Sequence, residues 1–246
     1  MSGPDAQHLL AALEATWPPA AREPQEGWLL RTGAGGGKRV SATSPLLPDA
    51  DIGLAEAAMR AKGQRPLFRL TEGDTALDND LAARGYAVLD PTLIYLAPVA
   101  DLARKPGPVS LFFLWPPLAI MRDIWAEGGI GPERLAVMDR ANRPKTALVA
   151  RICDRAAGAA FCALSGDIAM LHAVEVLPAH RRKGVGALIL RGAAHWAEQV
   201  GAQWMALAVT QANAGACALY ERCGMTIAAR YHYREEGPDD RESDRA

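Results

Sequence analysis

The sequence predicts an α/β protein built on a mixed sheet with helices on its faces. Three observations carry this. From residue 145, apolar runs of strand length come in series and then alternate with helical patterns, in the order β–β–β–α–β–α–β. Before residue 105 the chain shows a shorter mixed α/β pattern of its own. With 246 residues, half of them apolar, there is enough chain for two ordinary domains and a sizeable core.

Taken in order, residues 5–16 read as a helix, and Gly27–Arg31 and Lys38–Thr43 as strands around the turn Thr32–Gly37. The run Gly33-Ala34-Gly35-Gly36-Gly37 therefore falls between two expected strands and opens no expected helix. It reads as a loose hairpin rather than a phosphate loop. Residues 50–62 read as a helix, Pro66–Thr71 as extended, 75–84 as a helix stopped by Gly85, and Leu93–Leu96 as extended. Arg104-Lys105-Pro106-Gly107-Pro108 is the expected linker. Helices are expected near 117–127 and 131–140. Strands at 145–153, 158–165 and 168–177 follow, the first two joined by a turn at Asp154–Ala157. A long helix at 184–200, a strand at 203–209, a helix at 214–223 and a strand at 225–234 complete the series. The expected domains are 1–105 and 109–234, followed by an acidic, solvated tail at 235–246.

The net charge is −1, so bulk attraction to nucleic acid or an anionic membrane is not expected. Within 109–234, however, Lys and Arg outnumber Asp and Glu, which suits an anionic small ligand. Cys153, Cys162, Cys217 and Cys223 form no Cys-x-x-Cys pair, and no His is spaced to join them on zinc. They read as core residues, and no metal is expected. Met1–Asp5 lacks the basic start of a secretory signal, and no stretch approaches the roughly 20 apolar residues that span a bilayer. A cytoplasmic protein is the expectation, as a monomer or homodimer.

The most informative stretch is Arg181-Arg182-Lys183-Gly184-Val185-Gly186. It follows the apolar run Ala173–Pro178 and opens the long helix, whose Val185, Leu188, Ile189, Trp196 and Val200 recur on one face. A helix N-terminus leaves about four N–H groups without intrahelical acceptors and carries a partial positive charge. The glycines admit close approach of a ligand, and the basic side chains favour a polyanion. Alone, the stretch is equally a basic turn. It lacks the Gly-Lys-Ser/Thr of a Walker loop and the third glycine of a dinucleotide fingerprint.

Downstream, Asn213 is placed to cap a helix whose Ala216, Leu219, Tyr220 and Cys223 share a stripe and which Gly224 ends. A strand ending in Pro178, then Arg-x-x-Gly-x-Gly, a helix, a strand, and Asn-x-x-Ala-x-x-Leu-Tyr-x-x-x-Gly at 213–224 resembles the acyl-CoA core of the GNAT N-acetyltransferases over residues 145–234. Less specifically, Gly27–Arg31 and Phe68–Thr71 make the first half resemble the degenerate partner of a tandem GNAT, without a CoA loop.

The resemblance implies acetyl-CoA as co-substrate and a small-molecule or peptide amine as acceptor. The pyrophosphate would sit on the loop formed by Arg181, Arg182, Lys183, Gly184, Val185, Gly186 and Ala187. The pantetheine arm would pair beside Val174 and Val176 and touch Asn213. Tyr220 takes the slot of the general acid, and the backbone N–H of Val176 that of the oxyanion donor. The slot where many family members carry a basic Glu holds Met170. His172 lies on the same strand face by simple alternation and Glu175 on the opposite one, unless a bulge intervenes. His172, Glu175 or a water chain remain open as the base. A non-catalytic acyl-CoA-binding module is the alternative to an enzyme. GNAT folds commonly end in two strands after the Tyr-bearing helix. Only Thr226–Arg234 is evident here, so a strand is expected to come from the first half or from a second subunit.

Overall fold

The computed structural model describes residues 3–237. Of the expected tail at 235–246, Glu235 is the last residue of a strand, and 238–246 lie outside the described residues. In chain order the elements are α1 (Ala6–Thr16), β1 (Ala21–Gln25), β2 (Trp28–Thr32), α2 (Lys38–Ser41), β3 (Ser44–Pro45), α3 (Ile52–Ala61), β4 (Leu67–Thr71), α4 (Thr75–Ala83), β5 (Ala87–Pro98), α5 (Val99–Leu102), β6 (Leu111–Leu114), α6 (Ala119–Glu127), α7 (Pro132–Arg140), β7 (Lys145–Ile152), β8 (Arg155–Ser165), β9 (Ile168–Val176), a 3₁₀ turn (Pro178–His180), α8 (Val185–Gln199), β10 (Trp204–Thr210), α9 (Ala214–Arg222) and β11 (Thr226–Glu235).

The chain forms two compact units. Among the described residues, the first holds 3–18 and 93–229, the second 19–92 and 230–237. The division does not fall at Arg104–Pro108, as the composition suggested. Helix α1 belongs to the first unit because its buried Leu9, Ala12, Leu13 and Thr16 pack on β8 and β9. The Arg104 N–H bonds the Arg191 carbonyl of α8, so the basic stretch starts against a helix rather than in a free linker.

In the first unit the sheet order is β11-β5-β10-β9-β8-β7-β6. Strand β5, from the first half of the sequence, stands between β10 and β11, with its residues Leu93–Pro98 in this unit. It supplies the strand that the C-terminal half lacks, so the expected borrowing comes from within the chain. The strands β6 to β9 pair antiparallel, and β9 pairs parallel with β10. Helix α8 covers one face. Its Val185, Ile189, Leu190, Ala193, Ala194 and Ala197 are buried with Leu148, Ala150, Ala160, Cys162, Ala169 and Leu171. The small residues bring helix and sheet close, and a Cβ on Gly192 would stand 2.0 Å from Leu111 Cδ2. Helices α1 and α6 cover parts of β8 and β9 on the other face.

The second unit holds the small antiparallel sheet β1-β2-β3 and the pairing of β4 with β11 over Leu67–Thr71 and Tyr231–Glu235. Its core joins Trp28, Leu30, Ile52, Met59, Phe68, Leu70, Leu81 and Tyr86. Two local expectations fail here. Lys38–Ser41 is a short helix, not a strand, so the glycine run links a strand to a helical turn. Strand β1, Ala-Arg-Glu-Pro-Gln, was unforeseen, because all five residues are exposed and no alternation marks it.

Candidate active site

The site is built around an irregularity in β9. Against β8, Leu171 faces Cys162 and His172 faces Phe161, but Glu175 faces Ala159 and Val176 faces Gly158. Ala173 and Val174 therefore share the single partner Ala160, which is a β-bulge. Ala173 sits at φ +50°, in the left-handed region. Its carbonyl accepts the indole N–H of fully buried Trp125 at 2.8 Å. The extra residue inverts the alternation beyond it. Residues facing Phe161 and Ala159 lie on one side of the sheet, so His172 and Glu175 share a face. Simple alternation had placed Glu175 on the other.

The bulge also parts the central strands. The parallel ladder joins Ile168–Leu171 to Trp204–Leu207, while the two strands run on to Val176 and Thr210. Leu177 N–H bonds the Ala157 carbonyl of β8. Because backbone groups alternate between the two edges of a strand, the N–H of Val176 points the opposite way, into the gap. Its carbonyl, on that same edge, accepts Arg181 Nε at 3.1 Å, which ties the basic loop to the strand end. A gap edged by half-buried backbone can pair an extended, amide-bearing chain.

Arg181, Arg182, Lys183 and Gly184 are all exposed where the loop enters α8. Gly184 is the N-cap at φ +83°, a conformation that costs other residues about 1 kcal/mol or more. No side chain caps this helix end, so its first-turn N–H groups face outward as an anion cradle. A Cβ on Gly186 would lie 2.7 Å from Leu219 Cδ2, so the first turn of α8 fits directly against α9.

Helix α9 carries Tyr220. Asn213 caps it, its Oδ1 accepting the Ala216 N–H at 3.1 Å, as its residue type suggested. The Tyr220 ring is buried beside Tyr95, with centroids 5.7 Å apart, and Tyr95 donates its own hydroxyl to Glu221 at 2.8 Å. Half-buried Val174, Val176 and Val209, from the two edges of the gap, pack on the core that contains Tyr220. Burial pushes the Tyr220 hydroxyl up to about 12, and the Cys217, Cys223 and Glu175 side chains add to the rise. It stays protonated at neutral pH.

On the His172 face, burial raises the Glu175 carboxyl above the usual range, while Arg181 and Arg134 draw it back. The carboxyl rests on Gly128, the C-cap of α6: a Cβ there would stand 2.4 Å from Glu175 Cδ. His172 is buried, its Nε2 2.8 Å from Thr16 Oγ1, with the Trp17 ring at 5.1 Å and Phe161 stacked at 6.1 Å. Met170, in the slot where a Glu was sought, is fully buried. Among the described residues, no group of three or more His, Cys, Asp or Glu could hold a metal, and no helix is long and apolar enough to cross a membrane.

Of the expected residues, the structure sets His172 and Glu175 on one face of β9, the basic loop at the start of α8, and Asn213 and Tyr220 on α9. Sequence reasoning missed Trp125, Gly128 and Thr16, which hold the bulge carbonyl, the Glu175 carboxyl and His172. Gly128-Gly129 after an apolar helix was readable only as a helix stop, and Thr16 lies 156 residues from His172.

A mixed sheet parted at its parallel pair, with a basic glycine loop opening the next helix, is the acyl-CoA N-acyltransferase fold of the GNAT proteins. Residues 118–225 match the model of the Acetyltransferase (GNAT) family. The uncharacterized N-acetyltransferase YobR of Bacillus subtilis (strain 168) is 27% identical over 234 residues, which cover 89% of this chain and 94% of that protein. The structure is similar to a GCN5-related N-acetyltransferase from Kribbella flavida, with a TM-score of 0.72 at 18% identity, covering 98% of this chain and 99% of that one. It is also similar to a tandem GNAT protein from the clavulanic acid biosynthesis pathway, with a TM-score of 0.60 at 15% identity over 97% of this chain and 92% of that one.

Proposed function

We propose that the protein transfers an acetyl group from acetyl-CoA to a primary amine by direct attack in a ternary complex. The observation that carries this reading is the bulge at Ala173. It opens the β9 edge and sets His172 and Glu175 on one face. Arg181–Ala187 fit the pyrophosphate, as an exposed basic loop ending in outward N–H groups. The N–H of Val174 fits a pantetheine amide, that of Val176 is left for the thioester oxygen, and Asn213, the N-cap of α9, takes the slot that touches the pantetheine arm.

An alkyl amine with a pKa near 10 is mostly ammonium at neutral pH and must shed a proton before it attacks. Glu175 takes that proton, its carboxyl raised toward the working range by burial. His172 binds the same ammonium from higher on the face. The amine nitrogen then bonds to the acetyl carbon, while the Val176 N–H stabilises the oxygen as it gains charge. The carbon–sulfur bond breaks, Tyr220 gives its proton to the departing thiolate, and the second proton of the acylated nitrogen is released to restore the Tyr220 hydroxyl and leave the neutral amide. The first half of the chain contributes β5 and α1 to the catalytic unit. Residues 19–92 form the degenerate GNAT-like partner of that unit and supply no second CoA loop. The protein works in the cytoplasm.

The test is thiol release from acetyl-CoA against a panel of amines. Turnover is expected with at least one primary amine, and Tyr220→Phe and Glu175→Gln should each lower kcat by about a hundredfold. Binding of CoA without thiol release for any amine, with Tyr220→Phe indistinguishable from wild type, would leave a non-catalytic CoA-binding module instead.

A further inference from the structure

The turn between α6 and α7 brings two opposite charges onto neighbouring residues. The Glu175 carboxyl rests on Gly128, where an added Cβ would stand 2.4 Å from its Cδ. The Arg134 guanidinium, from the first turn of α7, donates through Nη1 to the Gly129 carbonyl at 3.2 Å. Both side chains are half-buried and both glycines exposed, and a Cβ on Gly129, at φ +75°, would meet nothing within 4 Å. Consecutive Cα atoms stand about 3.8 Å apart, so the two heads are anchored on adjacent residues beside open space. Burial raises the Glu175 carboxyl, and Arg181 and then Arg134 draw it back, which marks the two heads as electrostatic neighbours. Yet among the described residues neither forms an ion pair, and the Arg134 guanidinium makes no other hydrogen bond. Most of its planar five-donor fork is therefore uncommitted. Arg181, by contrast, is tied through Nε to the Val176 carbonyl at the basic loop.

We propose that the acceptor is a free α-amino acid, its ammonium at Glu175 and its carboxylate in the Arg134 fork, with Arg134 as the residue that sets this specificity. The inference rests on the reading of Glu175 as the base. An acidic and a basic head held apart suit a ligand with the complementary charges close together. An α-amino acid carries both on one carbon, and a guanidinium matches a carboxylate with two parallel hydrogen bonds. The C-terminus of α6, capped by Gly128, adds partial negative charge on the ammonium side. A diamine would set a second cation against Arg134, and a peptide amino terminus has no carboxylate on the same carbon.

The experiment measures thiol release from acetyl-CoA by the full chain, with primary α-amino acids and their C-terminal amides as matched pairs. At least one amino acid should exceed its amide in kcat/KM by about thirtyfold. In Arg134→Gln that ratio should fall to near one with KM for acetyl-CoA within about twofold, and Arg134→Lys, which keeps the charge without the fork, should fall between. The same amino acid should raise the Tm of the CoA-loaded wild type more than its amide does, and Arg134→Gln should erase the difference. Amides that match their acids in both assays, turnover confined to amines without a carboxylate, or a ratio unmoved in a folded Arg134→Gln each overturns the proposal. Wild-type kcat in Glu175→Gln, with an acid preference that still depends on Arg134, would overturn the reading of Glu175 as base and leave the carboxylate site standing, so the two failures are distinguishable.

Discussion

Gly128→Ala isolates the placement of Glu175 from the stability of the fold. Gly128 ends α6 at φ −82° and ψ 6°, which alanine adopts without strain. Backbone effects alone would stabilise the variant by about 0.4–1 kcal/mol through the unfolded chain. The new methyl, however, would stand 2.4 Å from Glu175 Cδ and 2.7 Å from both Cγ and Oε2. Non-bonded carbons settle at about 3.5–4.0 Å, so the carboxyl must retreat by roughly 1 Å or more. A misplacement of that size at a reacting group costs on the order of a hundredfold in rate. In steady-state assays at saturating acetyl-CoA and amine, kcat should fall about a hundredfold while the urea midpoint stays within the range of wild type. In Glu175→Gln the added Gly128→Ala should cost little more, because both changes remove the same contribution. Wild-type kcat in Gly128→Ala, or full additivity in the double variant, would refute the assignment of Glu175 as base.

Further expectations follow from the same geometry. Trp125→Phe leaves the Ala173 carbonyl without its indole donor, which should cost about 1–3 kcal/mol in urea unfolding and lower kcat more than CoA affinity. A stable variant with unchanged kcat would show that the bulge holds itself. The kcat profile should rise with pH along a limb above the ordinary glutamate value of 4.5, and Tyr220 should produce no alkaline fall below about pH 11. A raised carboxyl favours its protonated form in the folded state, so Glu175 subtracts stability as pH climbs through its folded value. The Tm of Glu175→Gln should therefore exceed wild type at neutral pH and converge with it in acid. Asp78 has the opposite sign. Hydrogen bonding to Arg234, and then to His232, holds its carboxyl below the usual range. Its contribution is full above about pH 4 and lost as pH falls through the folded value, so Asp78→Asn should flatten the acid limb of stability measured by urea titration.

What was readable in the sequence was local chemistry. Loop 181–186, the apolar stripe of α8, and the Asn213 cap with Tyr220 one face along α9 each lie within a single segment. Their spacing alone recorded them. The bulge was not readable in this way, because one left-handed residue at Ala173 reverses strand parity without altering composition. Simple alternation puts Glu175 on the opposite face, and only its register against Ala159 reveals the bulge that the sequence leaves open. Strand β6 is hidden for a different reason: Leu111–Leu114 is a short apolar run ended by Trp115-Pro116-Pro117, too brief to show an alternation. The placement of β5 between β10 and β11, and of Thr16 beside His172, depends on pairing across more than a hundred residues, and no periodicity encodes that.

The central claim is that the gap opened beside the Ala173 bulge holds the acyl donor with its sulfur at Tyr220. A crystal structure with CoA bound tests this most directly. The account predicts a pantetheine amide bonded to Val174, the pyrophosphate on the N–H groups of Arg182 to Ala187, and the CoA sulfur within about 3.5 Å of Tyr220 Oη. A CoA bound away from the β9 edge, or a sulfur beyond the reach of Tyr220, would contradict it.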